Sequence, residues 1–362
     1  MIRFRNAIAA ALLVLLVAGG CNSGDSGSDG DSGASNEGWT PEYKDGKLQP
    51  LPDGFPSRPL TLLNADAPEH DDGLYARAIQ TALQDISPVA IEVRDQNYPT
   101  FGTWAGIQFM QDQSGGKEGY IAEVAAMVGA SLDLLTEPIE DEFGMTLEDF
   151  KPVIVTEQTP FVLVSRSDAP WKTYQEMVDA AKASPNTLRY AAASGSLLDI
   201  ATNRIMKAGS WNAKVIPMEG STDAATAVAA GEADFTMLTP AVARSHEQAG
   251  KVTALLVVSK AANAPGDWSK AVTTTGIGLP DEPWVSYRGF IVAPEVSQAH
   301  KDWLFELFKK AGEQPAPKER IANLPGAQSV VLNGEQIDKI VADAKVFAEP
   351  IIRDLGLAYD QK

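Results

Sequence analysis

From Leu60 onward, short apolar runs alternate with stretches of helical periodicity. Leu60-Thr61-Leu62-Leu63 predicts a strand, and beyond a polar loop Leu74, Ala78, Ile79, Ala82 and Ile86 share one helical face. Val89 to Val93 predicts another strand, followed by a loop and an amphipathic stretch through Ile107 and Met110. Phe161 to Val164 predicts a further strand. Thr173-Tyr174-Gln175-Glu176 then carries the Thr-x-x-Glu pattern of a capping box and opens a helix that buries Met177, Val178 and Ala181. Strands are predicted over 188–193, 214–217, 233–238 and 253–259, with helices running to Met206 and over 222–230 between them. The C-terminal part turns mainly helical, over 298–312 and over 334–355 with an interruption near Pro350. Strand, loop and helix in alternation predict an α/β fold whose sheets are mainly parallel and flanked by helices.

The N-terminus does not fit that rhythm. Arg3 and Arg5 precede an unbroken apolar run from Ala7 to Ala18, which ends at Ala18-Gly19-Gly20-Cys21. The run is too short to span a bilayer and has the basic, apolar and small-residue regions of a secretory signal. Small residues before the chain's single cysteine resemble a bacterial lipobox. The expectation is a signal peptide over 1–20, lipidation at Cys21 and export to the cell envelope. The lipoprotein would sit on the periplasmic side of a membrane, or on the outer face of the cell membrane in a single-membrane host. Residues 22–38 read NSGDSGSDGDSGASNEG, too polar to bury a core, so 21–38 is expected to be a flexible tether.

Charge and missing motifs exclude several functions. A net charge of −18 opposes a nucleic-acid backbone. The three histidines, His70, His246 and His300, form no H-E-x-x-H motif, and there is no cysteine pair. No G-x-S-x-G elbow or Walker-A loop occurs, and Gly276-Ile277-Gly278 lacks the third glycine of a dinucleotide fingerprint. No catalytic residue, metal or cofactor is assigned. His246 and His300 read as solvated helix residues. In open α/β sheets ligands bind beyond the carboxyl ends of the strands, where helix N-termini favour anions. That directs attention to the loops over 67–73, 97–103, 193–198 and 219–223.

Several stretches together are similar to one family. They are Phe55-Pro56-Ser57-Arg58-Pro59-Leu60-Thr61-Leu62, Glu118-Gly119-Tyr120, Leu147 to Val153, and Leu188-Arg189-Tyr190-Ala191 leading to Gly195-Ser196. The best match is Val215-Ile216-Pro217-Met218-Glu219-Gly220-Ser221 with Gly231 to Asp234 after it, and Ala249 to Leu255 and Val292-Ala293-Pro294 follow in order. The set, spanning 55–357, resembles the Bug-type periplasmic receptors of tripartite tricarboxylate transporters. The resemblance implies a two-lobed periplasmic-binding-protein fold, with lobe one over 39–160, lobe two over 161–284 and a return to lobe one over 285–362. It also implies a carboxylate held between the lobes, permease subunits as partners and a monomeric receptor.

Carried over by position, Gly195 and Ser196, with Ser194 beside them, fit the lobe-two turn that follows the strand over 188–193, and Gly220, Ser221 and Thr222 fit the next loop. For Ser196 and Ser221, helix capping and ligand contact stand as equal alternatives. Asp234 is expected to be structural. Lobe one departs from the family. Glu69, His70, Asp71 and Asp72 replace one glycine-rich loop, and Tyr98, Phe101, Gly102 and Thr103 stand in the other. Three added carboxylates would repel a carboxylate ligand, so an amine-bearing, neutral, aromatic or metal-bridged solute stays open. The alternatives are a sensory or scavenging lipoprotein and an exported hydrolase using Glu69 to Asp72.

Overall fold

A computed structural model describes residues 39–98, 100–261, 264–279 and 285–361. The signal peptide, Cys21, the tether, Pro99 and the expected return crossing at Trp284 lie outside the described residues.

The described chain opens with the hairpin β1 (Tyr43–Lys44) and β2 (Lys47–Leu48), then β3 (Leu60–Asn64), α1 (Asp71–Leu83) and β4 (Ile91–Asp95). Next come α2 (Gly102–Asp112), β5 (Ile121–Ala126), α3 (Met127–Thr136), α4 (Ile139–Phe143) and β6 (Lys151–Pro160). A second set follows: β7 (Val162–Arg166), α5 (Tyr174–Ala183), β8 (Arg189–Ala192), α6 (Leu197–Ala208) and β9 (Lys214–Pro217). It continues with α7 (Ser221–Ala229), β10 (Phe235–Leu238), α8 (Pro240–Gln248), β11 (Val252–Val257) and β12 (Val272–Thr273). The last elements are β13 (Val285–Val292), α9 (Gln298–Gly312), α10 (Pro315–Ala322), β14 (Gln328–Asn333) and α11 (Gly334–Asp354).

These strands build two six-stranded sheets, β14-β6-β13-β5-β3-β4 and β12-β11-β7-β10-β8-β9. In each sheet the strand–helix–strand units pair in parallel, β3 with β4 and β5, and β8 with β9 and β10. The strands that carry the chain between the sheets run the other way: β13 is antiparallel to β5 and β6, and β7 is antiparallel to β10 and β11. Each sheet is therefore mixed.

Local sequence explains the helices near the site. Thr173 accepts from the Glu176 N–H while Glu176 accepts from the Thr173 N–H, so the capping box forms and α5 buries Tyr174, Met177, Val178 and Ala181. Pro350 does not interrupt α11, which runs to Asp354. The carbonyl it leaves unpaired belongs to Val346, a residue 76 % exposed and open to water. Buried Ile337 and Val341 of α11 join the core of the first sheet, while Ala344, Ala348 and Ile352 join that of the second. The neighbouring α3 divides in the same way, with Met127 in one core and Val128 in the other. This helix pair ties the lobes together while the strand-end loops meet across a cleft.

His300 is not the solvated residue that its polar surroundings suggest. Its ring stacks on Phe55 at 3.9 Å, with Nδ1 2.7 Å from the Glu118 carbonyl and Nε2 3.1 Å from Asp53 Oδ2.

Candidate functional site

Three strand-end loops converge. β3 ends at Asn64 and delivers Asp66 and His70; β8 ends at Ala192 and leads to Ser196; β9 ends at Pro217 and leads to Glu219, Gly220 and Ser221. Together they enclose a cavity of about 270 Å³ whose wall also includes Leu198, Thr236 and Met237. Asp66 and His70 come from the first lobe and the remaining wall from the second, so closing the cavity requires both. A larger cavity of about 540 Å³ lies among Pro160, Val257, Tyr287, Ile340 and Phe347, where β6, β13 and α11 meet. Its wall also includes Ser259, Lys260 and Ala261 beyond β11 and Val128 near the start of α3, but none of the residues over 67–73, 97–103, 193–198 or 219–223.

The two second-lobe helix starts differ. Ser196 Oγ accepts from the Asp199 N–H at 3.3 Å, and the Asp199 carboxylate turns back to accept from the Gly195 N–H at 2.9 Å. Burial raises the Asp199 carboxyl, an effect that the Gly195 N–H partly offsets. The start of α6 thus holds a buried acid folded back onto it, whereas Asp223, the acid in the first turn of α7, is exposed. At α7 the cap is Gly220 and among the described residues no side chain caps it; the first N–H groups have no partners within the helix. Across from them stands His70: a side chain built on Gly220 would come within 3.9 Å of His70 Cε1. His70 Nδ1 is 2.9 Å from Asp66 Oδ1, which orients the ring.

Asp71 and Asp72, expected to face a solute, instead turn into the first lobe. Arg288 Nε donates to Asp72 at 2.5 Å and Nη1 to Glu157 at 2.8 Å, while Arg320 donates to Glu157 at 2.8 Å and Asp71 at 3.3 Å. The Arg288 side chain is 4 % exposed and that of Glu157 1 %. Burial pushes Asp71 upward, but Arg288 and Arg320 outweigh it and hold the carboxyl below its usual range. For Asp72 burial wins over Arg288 and the shift is upward. With two guanidiniums against them, these carboxylates do not oppose an anionic solute as bare charges would. Nor do they form an acid–base pair aimed at the cavity.

The other expected site residues are scattered. Glu69 and Ser194 are exposed, and neither they nor Thr222 belong to the cavity wall. Gly195 contributes its N–H to Asp199 and sits against Thr136. Phe101 has φ 66° and meets Phe143 edge-on at 5.3 Å; with Gly102 and Thr103 it starts α2 away from the cavity wall. Tyr98 is half-buried and also outside it. Asp234 is bound by Arg189 through its backbone N–H, Nε and Nη2. Asp66, Glu219, Thr236 and Met237 in the wall were not singled out from sequence. Glu219 alone had a visible signal, standing first in an expected loop. Among the described residues no group of His, Cys, Asp and Glu could hold a metal ion.

A family described as the tripartite tricarboxylate transporter family receptor matches residues 76–357. A protein of Cupriavidus necator, called the UPF0065 protein in the gbd 5′ region, is 26 % identical over 312 residues, 85 % of this chain and 91 % of that one. The periplasmic binding protein BugD superposes with a TM-score of 0.71 at 18 % identity, over 84 % of this chain and 99 % of its own. The MatC protein of Rhodopseudomonas palustris with bound malate superposes with a TM-score of 0.69 at 19 % identity, over 82 % of this chain and 100 % of its own. The chain belongs to the tripartite tricarboxylate transporter receptor family: it is an exported receptor that binds a small solute and works with the membrane components of a transporter.

Proposed function

We propose that the solute carries a carboxylate, seated on the open N-terminus of α7 and covered by His70 from the first lobe. The observation that carries this is the inter-lobe cavity itself, with the uncapped Gly220–Ser221 turn on one wall and His70 on the other. Backbone N–H groups at a helix start bind anions through their unpaired donors and the helix dipole. Malate bound to the R. palustris relative supports the same class of solute. Ser196 acts as the cap of α6, and Gly220, Ser221 and His70 contact the solute. Closure draws the His70 loop toward Gly220 by hinge motion, and the closed monomer is what the permease receives. The chain is held at the membrane by lipid on Cys21.

A thermal-shift titration of the purified protein with mono-, di- and tricarboxylates tests the site. A solute at 100 times its Kd should add about 2.7 kcal/mol of stability. His70→Ala should weaken binding at least tenfold. So should Ser221→Pro, which removes one N–H at the first helical position, where proline is tolerated. If no carboxylate gives a saturable shift, or both variants bind like the parent protein, the proposal fails. Loss of labelled fatty acid from Cys21→Ala, but not from the parent chain, tests the anchor.

A further inference from the structure

We infer that the solute is a zwitterion, with its carboxylate on α7 and an ammonium group facing Asp66 and Glu219. This rests on reading the inter-lobe cavity as the solute site. Among the described residues the cavity wall holds two carboxylates, Asp66 and Glu219, one imidazole, His70, and no lysine or arginine. A second carboxylate on the solute would therefore find no guanidinium to grip it. Arg288 and Arg320 cannot supply one, because Asp71, Asp72 and Glu157 already occupy their donors.

The two helix starts lead to the same count. At α6 Ser196 takes the Asp199 N–H and the Asp199 carboxylate folds back onto Gly195, whereas among the described residues no side chain caps α7, which is the freer anion seat. A dianionic solute would place its second charge near Asp66 and Glu219, where like charges repel. An ammonium group in that position meets both. Glu219 has no hydrogen bond or ion pair with the described residues, so its carboxylate is available. Asp66 Oδ1 receives the Ala67 N–H at 2.7 Å and faces His70 Nδ1, which aims the carboxylate along the cavity wall. At about 270 Å³ the space falls just below the usual range for drug-sized ligands, which suits a small amino acid rather than a large amine.

The test is isothermal titration of the full chain with matched trios: 4-aminobutanoate, butanoate and glutarate, then β-alanine, propanoate and succinate. In at least one trio the zwitterion should bind tenfold or more tightly than both partners. In Asp66→Asn/Glu219→Gln that preference should shrink to threefold or less, with the dicarboxylate binding more tightly than before. Glu219→Gln alone, an exposed change that leaves the Asp66–His70 pair intact, should remove part of it. A dicarboxylate that binds as tightly as the zwitterion would overturn the inference while leaving the carboxylate receptor standing. So would equal binding of zwitterion and monoanion, or a preference untouched by the double substitution. Absence of binding by every compound would count against both.

Discussion

Replacing Arg288 by methionine should be among the most damaging single changes available to this fold. The guanidinium contacts Asp72 at 2.5 Å, Glu157 at 2.8 Å and Asp71 at 3.8 Å, from a side chain that is 4 % exposed. Methionine fills much of the same space but leaves three carboxylates with Arg320 alone. Removing one partner of a buried ion pair costs about 3–5 kcal/mol, because the remaining charge stays buried without compensation. Against a total stability of about 5–15 kcal/mol that is a large share. At roughly 2–4 °C per kcal/mol it lowers the melting temperature by about 6–20 °C.

Urea and thermal denaturation at several pH values would measure the loss and identify its cause. Burial holds the Asp72 carboxyl above its usual range even with Arg288 beside it, and Arg288→Met removes the guanidinium that opposes that shift. The penalty is therefore absent below the unfolded value near 4 and grows as pH rises through the raised folded values. The loss should be larger at pH 8 than at pH 4.5. Arg288→Met with Asp72→Leu should regain part of it, since charge and countercharge leave together. A loss under about 1 kcal/mol, or one as large at pH 4.5 as at pH 8, would refute this account of the network.

Ser196→Ala should cost about 0.5–2 kcal/mol through the lost cap of α6 and change solute affinity less than threefold; a tenfold change in affinity would make Ser196 a contact residue. Gly73→Ala places a methyl 2.5 Å from the Pro68 carbonyl oxygen, so the loop carrying Asp66 and His70 must shift. It should cost about 1–3 kcal/mol and weaken binding, and a fully stable variant in chemical denaturation would contradict the packing. Burial, reinforced by the charge of Asp72, holds Glu123 well above the ordinary glutamate value of 4.5. The folded state there keeps a proton that the unfolded chain releases, so stability falls as pH rises above about 4.5. Glu123→Gln should flatten that decline between pH 5 and 8, and an unchanged slope would show that Glu123 is not its source.

The sequence by itself determined the parallel units and their caps. Strand runs such as Leu60–Leu63 and 214–217, the Thr173 capping box and the helix over 298–312 are local signals, because hydrophobic period and cap chemistry act within a few residues. The ordered motifs from Phe55 to Leu357 also carried the family, which a match over residues 76–357 bears out. The strands β5, β6, β13 and β14 were not legible in the same way. Glu123, Glu157 and Arg288 interrupt three of them with charges, and a charge in a strand reads as exposure until its partner is known. Here Glu157 and Arg288 are buried against each other across 131 positions of sequence. Only that pairing decided that Asp71 and Asp72 support the His70 loop from within rather than line the cavity. Likewise the Ser196 motif announces a helix start, but only the structure shows Asp199 folded back on Gly195 at α6 and no such side-chain bond at Gly220 of α7. Local pattern places the loops. Which of their groups remains free to meet a solute depends on what the distant parts of the chain have already neutralised.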